Sequence, residues 1–171
     1  MAEYAEIDAE DPSLRRWKES LGIKSGGRAS TSAQRVVIRE MALEVKGKEA
    51  VVVGLENEEA VKKLRETPFT ITEGSEYRIR VRFMVNNDFV TGLRYVQVVK
   101  RRGIKVDRME EMMGSYAPNT SATPYYETAC PLGEAPRGML ARGHYEAIAR
   151  FMDDDKKTHL EFQWSFDITK Q

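Results

Sequence analysis

The sequence predicts an all-β protein, an antiparallel sandwich of short strands with a separate, partly helical segment in front of it. Three observations lead there. From Arg35 onward, runs rich in β-branched and aromatic residues are divided by turn-forming Gly, Asn and Asp. Two of these runs alternate strictly. EYRIRVRFMV places Tyr77, Ile79, Val81, Phe83 and Val85 on one side and arginines on the other, and LEFQWSFDI places Leu160, Phe162, Trp164, Phe166 and Ile168 on one side. Before Arg35 the chain is highly charged, then small and polar, with no strand pattern.

In chain order, residues 1–24 carry six acidic and four basic side chains among sparse apolar ones. Within them AEDPSLRRWKESLG reads as a short helix: Asp11 suits the cap, Pro12 the first helical position, and Gly22 follows the run. Leu14, Trp17 and Leu21 form one apolar stripe, and a helix this short needs a surface to hold it. SGGRASTSAQ, residues 25–34, reads as a hinge. The domain boundary therefore falls at residue 34, with an arm over 1–34 and a sandwich over 35–171.

RVVIREMALEV and EAVVVGL then read as strands, NEEAVKKLRE as a short helix, and PFTITEG, EYRIRVRFMV and FVTGLRYVQVVKRRG as strands, with Gly92 marking a bend. GIKVDRMEEMMGSYAPNTSATP reads as a long loop holding a small strand or turn. The chain closes as two strands around a solvated acidic turn at Asp153 to Asp155. Seven to nine strands in a chain of this size give a sandwich.

Composition excludes several function classes. Lys plus Arg and Asp plus Glu number 27 each, so no net field steers the molecule to nucleic acid. A single Cys130 forms no internal disulfide, and no stretch approaches the roughly 18 apolar residues of a membrane span. The pattern is that of a soluble, cytoplasmic protein. His144 and His159 share no ligand spacing with each other or with Cys130, no glycine loop has a phosphate-binding pattern, and no serine elbow occurs. No catalytic residue, metal or cofactor is expected. The aromatic face of the last strand has two readings, a packed core or the lining of a ligand cavity, and periodicity does not separate them.

DPSLRRWKESLG, FTITEGSEYRIRVRFMV, GLRYVQVVKRRGIKVD, MMGSYAP, EAPRGMLARGHY and FMDDDKKTHLEFQW, in this order, resemble the Rho GDP-dissociation inhibitors, over residues from about 4 to 170. The resemblance implies an immunoglobulin-like sandwich behind a regulatory arm. It also implies a monomer that forms a 1:1 complex with prenylated, GDP-bound Rho, Rac or Cdc42-type GTPases, without stable insertion in a membrane. In such a complex the arm holds the switch regions and slows GDP loss. The sandwich takes up the geranylgeranyl group, the one lipid ligand, and keeps the complex out of the membrane.

By the same carry-over, Ile7, Asp8, Asp11, Leu14 and Trp17 meet the GTPase switch surface. Leu43, Phe69, Tyr77, Phe89, Ala147 and Trp164 form or border the prenyl pocket, with Phe162 left in the core. Asp107, Glu134 and Asp154 face the basic segment that precedes the lipidated cysteine. Pro12 replaces a commonly acidic neighbour, and the extended acidic stretch typical ahead of the first arm helix is not matched. PYYETACPLG and residues 44–54 also differ from familiar animal members, so selectivity among GTPases does not carry over. A carrier for other lipidated proteins, without effect on nucleotide release, is the alternative.

Overall fold

The structure is a computed structural model that describes residues 34–171. The helix and hinge expected before Gln34, and with them Ile7, Asp8, Asp11, Leu14 and Trp17, lie outside the described residues.

Ten strands and one helix follow: β1 (Val36–Val45), β2 (Val51–Gly54), α1 (Glu58–Glu66), β3 (Phe69–Thr72), β4 (Glu76–Val85), β5 (Val90–Arg101), β6 (Ile104–Tyr116), β7 (Tyr126–Ala129), β8 (Gly133–Glu134), β9 (Gly143–Met152) and β10 (Thr158–Thr169). One sheet runs β2-β1-β4-β7, with β8 also on β4; the other runs β3-β10-β9-β5-β6. The two sheets enclose one core, and the fold is an immunoglobulin-like sandwich. It is not wholly antiparallel, because β3 pairs parallel to β10, Phe69 beside Phe166 and Ile71 beside Ile168.

The alternation read from β4 holds: Ile79, Val81, Phe83 and Val85 are buried, and Arg78, Arg80 and Arg82 lie on the outer face. β1 is subtler. Val36 and Ile38 point inward at its start, Met41, Leu43 and Val45 at its end, and a register shift between Ile38 and Glu40 changes the parity. One extra residue in a strand does this, since side chains alternate with period two. In β5 the same switch, from Val90 to Leu93, falls at Gly92, whose φ of 60° and register shift bear out the expected bend.

Helix α1 starts where Asn57 accepts the Glu59 backbone N–H at 2.8 Å. Its one buried residue, Leu64, seats it on β10, where the Ser165 hydroxyl donates to the Arg65 carbonyl at 3.2 Å. This cover explains why Ser165, on the outward parity of β10, is buried.

Three expectations need correction. Residues 104–116 form the longest strand rather than a loop with a short strand in it. β6 is a sheet edge with most of its side chains exposed, so no buried face imposes an apolar alternation on IKVDRMEEMM. β7 and β8 were not foreseen, because four and two residues are too few to carry a period. The Asp153 turn is not simply solvated. Asp153 is buried, its Oδ1 accepting the N–H groups of Asp155 at 2.9 Å and Lys157 at 3.1 Å.

Candidate functional site

The residues at one end of the sandwich leave an apolar cavity of about 310 Å³ between the sheets. Each wall comes from a strand terminus: Tyr77 from the start of β4, Val99 from the end of β5, Val106 and Asp107 from the start of β6, and Tyr145 from the start of β9. Ile71 of β3, Phe166 and Ile168 of β10, and Ala135 with Pro136 after β8 complete it. Val106 is 52% exposed and marks the mouth. Tyr145 and Phe166, register partners on β9 and β10, stack with ring planes 4° apart and centroids 5.1 Å apart.

The inner boundary is the next layer of side chains. Trp164 pairs with Ala147 across β10 and β9, and Leu43 pairs with Ile79 across β1 and β4; all four are buried. Trp164 meets the edge of Phe69 at 5.6 Å and lies 5.2 Å from Phe166. Its indole Nε1 is buried without a hydrogen-bond partner, a polar atom left unsatisfied beside the cavity layer. Deeper still, the Tyr95 hydroxyl donates to Gln97 Oε1 at 2.5 Å, so the one polar pair in this part of the core is internally matched.

Among the described residues Asp107 is the one charged side chain lining the cavity itself. Burial pushes the Tyr77 hydroxyl above its ordinary pKa, and the negative Asp107 nearby adds to the shift, so Tyr77 stays neutral. Glu134, next to Ala135, accepts from Arg137 Nε at 2.9 Å. Burial also raises the Cys130 thiol to about 11, with Glu111 contributing, which leaves it a small apolar group rather than a nucleophile. The site has the chemistry of a receptor for an apolar chain. Among the described residues no cluster of three His, Cys, Asp or Glu side chains is placed to hold a metal ion.

A search with family models matches residues 1–171 to the RHO protein GDP dissociation inhibitor family. The chain belongs to that family. Among curated relatives, the Rho GDP-dissociation inhibitor of Schizosaccharomyces pombe is 51% identical over 98% of this chain and 81% of its own length. That of Saccharomyces cerevisiae is 42% identical over 99% of this chain and 86% of its own. Human Rho GDP-dissociation inhibitor 1 is 38% identical over 98% of this chain and 80% of its own.

The positions expected from the resemblance to Rho GDP-dissociation inhibitors are distributed unevenly. Tyr77 lines the cavity directly, while Leu43, Ala147 and Trp164 form the layer at its inner end, and Phe69 packs against Trp164. Phe89 does not join them. It follows the far end of β4, twelve residues beyond Tyr77 in sequence; the nine strand residues from Tyr77 to Val85 alone span roughly 26 Å in their eight steps. Asp107 and Glu134 stand at the cavity end, but Asp154 accepts from Arg94 Nη2 at 2.5 Å at the opposite end of the sheet, so the three carboxylates do not form one patch. The final aromatic stripe is also divided differently from expectation. Phe166 and Ile168, which were not among the positions carried over for the pocket, line the cavity, whereas Trp164, which was, is only 1% exposed behind them. Ile71, Val99, Val106, Ala135, Pro136 and Tyr145 were not among the expected positions either, and the sequence signal for them was only their place in or beside strand ends.

Proposed function

We propose that this chain binds prenylated, GDP-bound Rho-family GTPases, slows GDP release through residues 1–34, and takes the geranylgeranyl group into the cavity beside Tyr77, Val99, Tyr145, Phe166 and Ile168. One observation carries the reading: a family match over the whole chain coincides with an apolar cavity that opens at one end of the sandwich. This is a regulatory binding role with no bond made or broken.

The energetics agree with it. Moving an isoprenoid from water into an apolar site gains roughly 0.8 kcal/mol per methylene. A single lipid chain holds a protein on a bilayer only marginally, so a cavity competes with the membrane once a second contact is linked to it. Ile7, Asp8, Asp11, Leu14 and Trp17 supply that second contact on the switch surface. Asp107 and Glu134 meet the basic segment as it approaches the mouth, with a modest, salt-sensitive gain. Asp154, at the opposite end of the sheet, has no part in that contact.

The test compares geranylgeranylated and unprenylated forms of a GDP-loaded Rho-type GTPase, following binding and GDP release together. Prenyl-dependent binding with slowed release is expected. Prenyl-dependent binding without slowed release would leave a lipid carrier, and binding to neither form across several Rho-family members would remove the reading.

A further inference from the structure

The cavity end carries a second feature that lipid uptake into the core does not explain. Ile104 is 70% exposed, Leu132 64%, Met139 81% and Leu140 90%. Met139 and Leu140 occupy the centre of a tight turn closed by the Ala141 N–H on the Gly138 carbonyl at 3.0 Å, positions normally given to polar residues or Gly.

The backbone of this turn is held from several sides. Glu73 accepts from the Gly138 N–H at 2.8 Å and takes Arg142 in a two-point contact at 2.9 and 3.1 Å. The Tyr145 hydroxyl donates to the Ala141 carbonyl at 2.6 Å, and Arg101 donates to the carbonyls of Leu140 and Arg142. The apolar tip is thus presented on a fixed base. Arg101 also joins it to the β5–β6 turn, since Arg101 pairs with Ile104 across that turn and Tyr145 lines the cavity.

Charge decides what the tips fit. The β5–β6 turn reads KRRGIK, and Lys100, Arg102 and Lys105 enter no ion pair among the described residues. The neighbouring acidic groups are largely engaged: Glu73 with Arg142, Glu134 with Arg137 and Glu76 with Lys46, while Glu146 lies opposite Lys100 in the sheet and Asp107 stands at the mouth. Protruding aliphatic tips beside unpaired cations match the boundary between lipid headgroups and acyl chains. A flat or concave apolar patch would suit a protein partner better.

We infer that the cavity end docks on an anionic bilayer surface, with Ile104, Met139 and Leu140 dipping below the headgroups, Lys100, Arg102 and Lys105 against lipid phosphates, and the cavity mouth turned to the membrane. Docking in this pose lets a prenyl chain pass from bilayer to cavity without crossing water. That benefit rests on the proposed function; the docking itself does not.

The full chain, without any GTPase, is mixed with phosphatidylcholine vesicles with and without phosphatidylserine and scored by co-sedimentation. Binding is expected only with phosphatidylserine, weakening at high salt. Neutralising Lys100 and Arg102 (Lys100→Gln with Arg102→Gln) should lower it roughly thirtyfold, at about 1 kcal/mol for each cation removed, and M139S/L140S should also lower it. Lys62→Glu on α1, away from the mouth, should leave it unchanged. A polarity-sensitive dye on Leu140→Cys should shift to the blue on the same vesicles; buried Cys130 stays unlabelled. No binding to either vesicle, equal binding by all variants, or no dye shift overturns the inference. If the M139S/L140S variant instead loses prenylated GTPase in membrane-free solution while vesicle binding is unchanged, the tips face the protein partner and the inference also fails. Failure of the proposed function would leave the vesicle result intact.

Discussion

His159 Nε2 and Asp153 Oδ2 lie 2.7 Å apart, and each side chain is only 1% exposed. They tie the first turn after β9 to the start of β10. Burial lowers the His159 pKa from its ordinary 6.5, with Lys157 and Arg35 lowering it further, and these outweigh the opposing pull of Asp153. Burial also pulls the Asp153 carboxyl upward, but the His159 contact and the N–H groups of Lys157 and Asp155 hold it below the ordinary value of 3.8.

A neutral His159 therefore donates Nε2–H to a charged Asp153. The folded pKa of His159 is depressed, so the unfolded chain binds the extra proton first, and stability falls as pH drops below about 6.5 until the folded pKa is passed. Asp153 adds a second loss below about 3.8, also on acidification. Thermal melting between pH 7.5 and pH 5, as a rough working range, should show Tm falling toward acid. His159→Gln should flatten that part of the slope, and an unchanged slope would count against the assignment.

Trp164→Ala is expected to be a stability variant before it is a binding variant. It removes a fully buried ring packed on Phe69 and Phe166, at a cost of about 3–5 kcal/mol. Val106→Asp at the exposed mouth should change stability by no more than about 0.5 kcal/mol yet weaken prenyl-dependent binding at least tenfold. Denaturant melts run beside binding to the prenylated GTPase separate the two effects.

Gly92→Ala should destabilise by more than about 1 kcal/mol. Its φ of 60° is strained for an L-residue, and a Cβ there would overlap the carboxyl group of Asp154, which Arg94 holds in place. Urea unfolding measures it, and pairing the change with Asp154→Ala should recover the part due to overlap but not the part due to φ.

On the outer face of the β1-β4-β7 sheet, Arg78, Glu44, Arg80, Glu127, Arg82 and Glu40 alternate in one chain of ion pairs at 2.5 to 3.3 Å. Contacts with Arg82 and Arg80 hold the Glu127 carboxyl below its ordinary pKa. Glu127→Gln should therefore cost about 1 kcal/mol or less at low salt. The cost should shrink at high salt and vanish as pH falls through the Glu127 pKa, where the native carboxylate loses its own advantage. Chemical denaturation at two salt concentrations checks it.

Much of this molecule was legible one strand at a time. The alternation in EYRIRVRFMV and LEFQWSFDI picked out β4 and β10 and their inward faces, because a half-buried strand imprints its period on the residues it buries. β6 escaped because an edge strand with solvent on most sides leaves no such imprint. The parity changes at Ile38–Glu40 and at Gly92 were likewise hard to read, except that a glycine in the second hinted at a bend.

The sequence by itself determined the fold class, the family and the aromatic content of the last strand, since each depends on residue order along one chain. Tertiary structure alone decided where the cavity lies and who faces it. Trp164 and Phe166 are equivalent in period, yet Phe166 lines the cavity near the strand end while Trp164, packed against Phe69 and Phe166, is sealed behind it. Asp107, Glu134 and Asp154 are equivalent in chemistry, yet strand direction carries Asp154 to the other end of the sheet. Both outcomes come from pairing between residues remote in sequence, which no local period encodes.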